Sequence, residues 1–90
     1  MVEKSLELRG IPLSHLVMYL TECGGKPSGQ DLPLVVHGER WQAEVLREET
    51  VTITSRFHVN AVFITFRADD ANELEQLLGR FTIKVRRVGG

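Results

Sequence analysis

The sequence contains one cysteine, one tryptophan and no long hydrophobic run. A single cysteine cannot form an internal disulfide, so the fold must be held by packing and hydrogen bonds. Apolar stretches such as 61–64 are far shorter than the roughly 20 residues that span a bilayer. Charged residues also interrupt the N-terminal segment where a signal peptide needs an apolar region. We therefore expect a cytoplasmic protein without a membrane partner.

An excess of charge of one sign is also absent, since 11 basic and 12 acidic side chains give a net charge of −1. General binders of nucleic acid are usually much more basic, which argues against nucleic acid as the main partner. The 90 residues, 42% hydrophobic and 26% charged, indicate a single folded domain over 1–90 and exclude a disordered chain. Such a short chain buries a modest fraction of its surface and is marginally stable alone. We therefore expect it to form a homodimer.

The hydrophobic pattern predicts an α+β domain with one mostly antiparallel sheet and two helices, in the order β-α-β-β-β-β-α-β. Alternation predicts a first strand around 6–9, and apolar residues at helical spacing predict a helix over 13–20. Gly24 or Gly25 can end this helix, and 24–31 reads as a loop. Further strands are expected at 34–37, 41–45, 50–54 and 61–66, of which 61–66 is the central strand.

The end of the sequence predicts a second helix and a last strand. Asp70 followed by Glu73 is typical of a helix N-terminus, and Gly79 would close that helix. After it, apolar residues alternate with polar ones from Phe81 to Arg86, which predicts a strand.

No set of residues points to catalysis, a metal or a cofactor. The three histidines and Cys23 have no recognised ligand spacing, although His37 and His58 could meet across the sheet. Cys23 lies at a helix C-terminus, whose dipole disfavours a thiolate, so we interpret it as structural. The prediction is a protein that is not an enzyme and has no catalytic, cofactor-binding or metal-binding residues.

Two features at the C-terminus are candidate binding sites. Gly89 and Gly90 form a slim tail that could thread into an adenylating enzyme, as a sulfur carrier requires, or they are a frayed end. The predicted last strand carries a candidate surface for an anionic partner such as phosphate, nucleotide or RNA, made of Arg80, Lys84, Arg86 and Arg87. The same charges could instead pair with the acidic segment 69–75 or protect a sheet edge from aggregation.

The element order, with Leu8-Arg9-Gly10, Gly24-Gly25, the strand pair in 57–66 and the ending Arg86-Arg87-Val88-Gly89-Gly90, resembles a small bacterial family. That family is similar to the C-terminal domain of proteins whose N-terminal half is related to the small subunit of molybdopterin synthase. The resemblance implies a fold like one half of the TATA-binding protein, a curved antiparallel sheet cradling helices. It supplies no catalytic residue, and the carrier half of those proteins has no counterpart here.

Together these observations indicate a non-enzymatic accessory or binding module associated with sulfur-carrier or molybdenum-cofactor biosynthesis. One alternative is a sulfur carrier that is adenylated at its terminal Gly-Gly. Another is a weak binder of nucleic acid or phosphate that uses the basic last strand.

Overall fold

The computed structural model describes residues 1–29 and 31–89, with side chains up to Arg86 apart from the gap. Its elements are β1 (Val2–Arg9), α1 (Leu13–Glu22), β2 (Lys26–Pro27), β3 (Leu34–His37), β4 (Trp41–Thr54), β5 (Phe57–Ala68) and α2 (Ala71–Gly89). The predicted α+β class, with two helices and one antiparallel sheet, is confirmed. Inside the predicted loop 24–31, β2 pairs with the end of β3.

The sheet has the strand order β1-β5-β4-β3-β2, and all of its pairs are antiparallel. β5 lies between β1 and β4, as expected for an interior strand. Alternate residues of β5, such as Val62, Ile64 and Phe66, are fully buried in one core with residues of both helices. Both helices therefore pack on the same face of the sheet, and the opposite face carries polar pairs such as Ser5 with Thr65.

β4 replaces two strands that the sequence predicts separately. A bulge between Val45 and Arg47 lets one strand run through both segments. Beyond Glu49 and Ala61, β4 and β5 pair only with each other and form a two-stranded extension, which we call the ribbon (residues 50–60). Most of the predicted strand 50–54 is exposed, because neither β1 nor β3 reaches it.

The predicted last strand is wrong, because α2 continues without a break from Ala71 to Gly89. The helix begins as predicted, with the Glu73 amide donating to Asp70 Oδ1 at 2.8 Å. Phe81 continues the buried stripe of Leu77 at the i+4 position, whereas Ile83 is 60% exposed. The segment 81–86 fits both the alternating pattern of a strand and the spacing of a helix, and packing against the core favours the helix.

Gly79 lies inside α2 and does not end it, so its replacement by alanine should stabilise the protein. Its φ angle is not positive, and a Cβ at this position would meet nothing within 4 Å. Gly79→Ala should therefore raise the free energy of unfolding by about 1 kcal/mol, the usual difference between alanine and glycine in a helix. Urea denaturation measures the change. A loss of stability would show that Gly79 has the left-handed conformation of a helix end.

Candidate functional site

The four basic residues of the predicted strand lie on α2. Arg80 and Lys84 are one turn apart and both approach the C-terminal end of α1, where Lys84 Nζ pairs with Glu22 Oε1 at 3.2 Å. A cation near a helix C-terminus is favourable because the last carbonyl groups carry partial negative charge. Arg86 is exposed, and the Arg87 side chain lies outside the described residues. The predicted basic strand is therefore not formed, and one of its residues, Lys84, instead connects α2 to α1.

α1 ends at a short turn that places Cys23 beside α2. The Cys23 amide donates to the Tyr19 carbonyl, and Gly24 follows with a φ of 99°, which glycine adopts without strain. The prediction that one of the two glycines ends this helix is confirmed, and it is Gly24.

A cavity of about 330 Å³ opens where the end of α1, the β3–β4 turn and α2 meet. We call it the α1–α2 cavity. Its lining residues are Cys23, Gly24, Glu39, Arg40, Trp41, Glu73 and Arg80. The sequence does not reveal this site, because the three segments are distant along the chain and only the tertiary fold brings them together.

Trp41 is held in the wall of this cavity by two close glycines. A Cβ on Gly25 would lie 2.8 Å from the indole and 2.9 Å from the Leu20 carbonyl oxygen. A Cβ on Gly38 would overlap the indole itself. The ring is only 9% exposed. The nearest local signal is Gly38, three residues before the only tryptophan, since only the fold brings Gly25 to the indole.

The charged side chains of the cavity are only partly paired. Arg40 Nη1 lies 3.7 Å from Glu73 Oε1, across the gap between the β3–β4 turn and α2. The Arg80 Nε donates only a long bond, 3.5 Å, to the Gln76 carbonyl of its own helix. In the described part of the chain, neither Arg80 nor Glu39 forms an ion pair.

Burial raises the pKa of the Cys23 thiol above its ordinary value, because a thiolate there would lose its hydration. The nearby cations of Lys84 and Arg80 lower the pKa, and Glu22 raises it, but burial has the largest effect. The raised pKa agrees with the expected direction, and burial is its largest cause. Cys23 is therefore protonated and neutral near pH 7.

Alkylation of Cys23 tests this assignment. Near the ordinary thiol pKa of about 8.5, iodoacetamide should react with the folded protein more slowly than with the chain in urea. The rate for the folded protein should rise only at higher pH, since the thiolate is the reacting species. Mass spectrometry follows the single adduct. Equal rates in the folded and unfolded states would contradict the buried, protonated thiol.

The histidines do not come together. His37 pairs with Gln42 and His58 with Thr52, so ten residues of β4 separate their positions. At about 3.3 Å per residue this exceeds any shared coordination distance. Among the residues that the structure describes, no three His, Cys, Asp or Glu side chains are grouped to hold a metal ion.

A comparison with protein-family models matches residues 4–90 to the family described as archaeal MoaD-like protein. The chain belongs to this archaeal MoaD-like family. This match supports the expected resemblance to proteins related to MoaD, the small subunit of molybdopterin synthase, and the family is described as archaeal. No curated protein and no solved structure matches the chain.

Membership of the MoaD-like family connects the chain with sulfur-carrier and molybdenum-cofactor chemistry. In this MoaD-like chain, Gly89 is the last residue of α2, and Gly90 lies outside the described residues. Among the helices of the described ranges, none is both long enough and apolar enough to cross a bilayer.

Proposed function

We propose that this MoaD-like chain is a non-enzymatic accessory module that binds a protein partner in sulfur-carrier or molybdenum-cofactor biosynthesis. The observation that carries the proposal is the family match over residues 4–90. A binding role is supported by the state of Cys23, which is buried and whose pKa is raised. A nucleophilic thiol normally has a lowered pKa and an adjacent base.

The ribbon supports a protein as the partner. Ile53 and Phe57 on it are 52% and 56% exposed, although both are large and apolar. The outer edges of the ribbon also leave backbone donors and acceptors without a neighbouring strand in the described chain. Exposed apolar side chains beside free strand edges are typical of surfaces that add a strand or a loop of another protein.

Binding to defined partners tests the proposal. The purified adenylating enzyme and the large subunit of molybdopterin synthase from the same genome are titrated with the chain in a calorimeter. We expect a stoichiometric complex with one of them, without ATP. Failure to bind either protein at micromolar concentration would overturn the proposal.

Matched variants locate the contact. Phe57→Ser should weaken the complex by about tenfold or more, since a central apolar anchor contributes more than 1 kcal/mol. Met18→Ser on α1 is the control, because Met18 is also apolar and 47% exposed but lies outside the ribbon. Equal effects of the two substitutions would exclude the ribbon as the contact surface.

A sulfur carrier that uses Gly89 and Gly90 is the second candidate, favoured by this pair of adjacent glycines and by the family. The helix that reaches Gly89 would have to unwind its last turn before the tail could enter an adenylating enzyme. Intact mass after incubation with the adenylating enzyme, ATP and a sulfur donor decides between the candidates. The accessory role predicts no adduct and unchanged partner binding after deletion of both glycines. Replacement of a terminal oxygen by sulfur would establish the carrier.

We also propose a homodimer, a cytoplasmic location and a fold like one half of the TATA-binding protein. The length of the chain supports the dimer, since small domains gain core by association. The order β-α-β-β-β-β-α, with both helices on one face of an antiparallel sheet, supports the fold. A sedimentation mass equal to the monomer at micromolar concentration would exclude the dimer.

A further inference from the structure

Four charged side chains line the α1–α2 cavity. Two of them form an ion pair, and the other two, which we call the open charges, form none with a described residue. Arg40 and Glu73 face each other at 3.7 Å. Arg80 and Glu39 line the same cavity, yet neither forms an ion pair with a described residue or with the other. An open positive charge and an open negative charge are therefore separated across one concave space.

The remaining wall is neutral and partly apolar. Trp41, whose indole packs closely against Gly25 and Gly38, is one of the lining residues. Cys23 contributes a thiol that burial keeps protonated. The lining as a whole carries no net charge, since two guanidinium groups balance two carboxylates. A simple anion would gain from Arg80 but would be repelled by Glu39, and a simple cation would meet the reverse situation.

We propose that the α1–α2 cavity binds a small zwitterion of the free amino-acid class. The ligand carboxylate pairs with the Arg80 guanidinium, whose planar donors suit a carboxylate. The ligand ammonium pairs with Glu39, and the side chain of the ligand contacts the small exposed part of Trp41. Each open charge then gains a partner, and like charges are not brought together.

The size of the cavity agrees with this class. Its volume, about 330 Å³, is at the lower end of the range for small-molecule sites. A free amino acid is among the smallest metabolites that carry both charges. The binding does not depend on the protein partner proposed above, because the ribbon and the cavity involve different residues.

The only tryptophan is also the reporter for the experiment. The free amino acids other than tryptophan and tyrosine, which absorb and fluoresce themselves, are titrated to about 10 mM against the fluorescence of Trp41, a range that covers millimolar affinities. At least one should give a saturable change. Its analogue without the amino group and its analogue without the carboxylate should bind about tenfold more weakly or worse, because each leaves one charge of the cavity open. The same ligand should also slow alkylation of Cys23.

Variants connect the signal to the two open charges. Arg80→Gln and Glu39→Gln should each weaken the best ligand about tenfold, and both residues are exposed, so the fold is retained. Arg56→Gln, at the far end of the ribbon, should leave the affinity unchanged. The proposal is overturned if no amino acid saturates the signal, if an analogue binds as well as its parent, or if inorganic phosphate alone binds.

Discussion

Replacing Phe81 with alanine should lower the free energy of unfolding by about 3–5 kcal/mol, the usual cost of removing a buried phenyl ring. Phe81 is 1% exposed, and its ring centroid lies 5.3 Å from that of Phe66 in β5. The contact joins α2 to the centre of the sheet. Because small domains have only about 5–15 kcal/mol of stability in total, the variant should lose a large fraction of its free energy of unfolding.

Ile83→Ala is the matched control, since it removes an apolar side chain two residues away. On a strand, Phe81 and Ile83 would share one face, and both substitutions would be costly. On α2 they point in different directions, and Ile83 is 60% exposed. Urea denaturation should therefore give a loss of less than about 0.5 kcal/mol for Ile83→Ala. Similar large losses for both variants would contradict the helix.

Gly38→Ala should destabilise the protein by about 2–3 kcal/mol, because the added methyl group would overlap the Trp41 indole. The indole lies between Gly38, Gly25 and the core, so it could move away from the new methyl group only toward the α1–α2 cavity, where it would lose its packing. The fluorescence maximum of Trp41 should also shift to longer wavelength as the ring becomes more exposed.

Gly29→Ala provides the comparison, because a Cβ at Gly29 would meet nothing within 4 Å and its φ is not positive. Thermal denaturation should show a change within about 0.5 kcal/mol for this variant. A Gly38→Ala protein as stable as the Gly29→Ala protein, with unaltered fluorescence, would mean that Trp41 does not pack on the β3–β4 turn.

Local patterns were sufficient for most elements and insufficient for the last one. The apolar residues of 13–20 fit only the spacing of a helix, and those of 34–45 fit only the alternation of strands. Both predictions, and the helix start at Asp70, are present in the structure. The segment 81–86 fits two periodicities, that of a strand and that of a helix. Phe81 and Val85 fit the helical stripe of α2, and only the exposed position of Ile83 in the folded molecule separates this arrangement from a strand.

The cavity depended on tertiary contacts that no local pattern contains. Once α2 is helical, Glu73 and Arg80 are seven residues apart and lie two turns apart on one side, about 10 Å from each other along the axis. A strand at 81–86 would have placed Arg80 in a turn and Lys84 on a sheet edge. The wrong last element therefore hid the site, although Gly24, Gly25 and Gly38 were visible in the sequence.

The backbone conformation of residues 80–86 decides whether α2 is one continuous helix. The contact of Lys84 with Glu22, the burial of Phe81 and the placement of Arg80 in the cavity all require α2 to continue through this segment. Backbone chemical shifts from solution NMR should show helical Cα shifts from Ala71 through Val85 without interruption at Gly79. Extended-strand shifts after Gly79 would contradict the helix and, with it, the cavity and its proposed ligand.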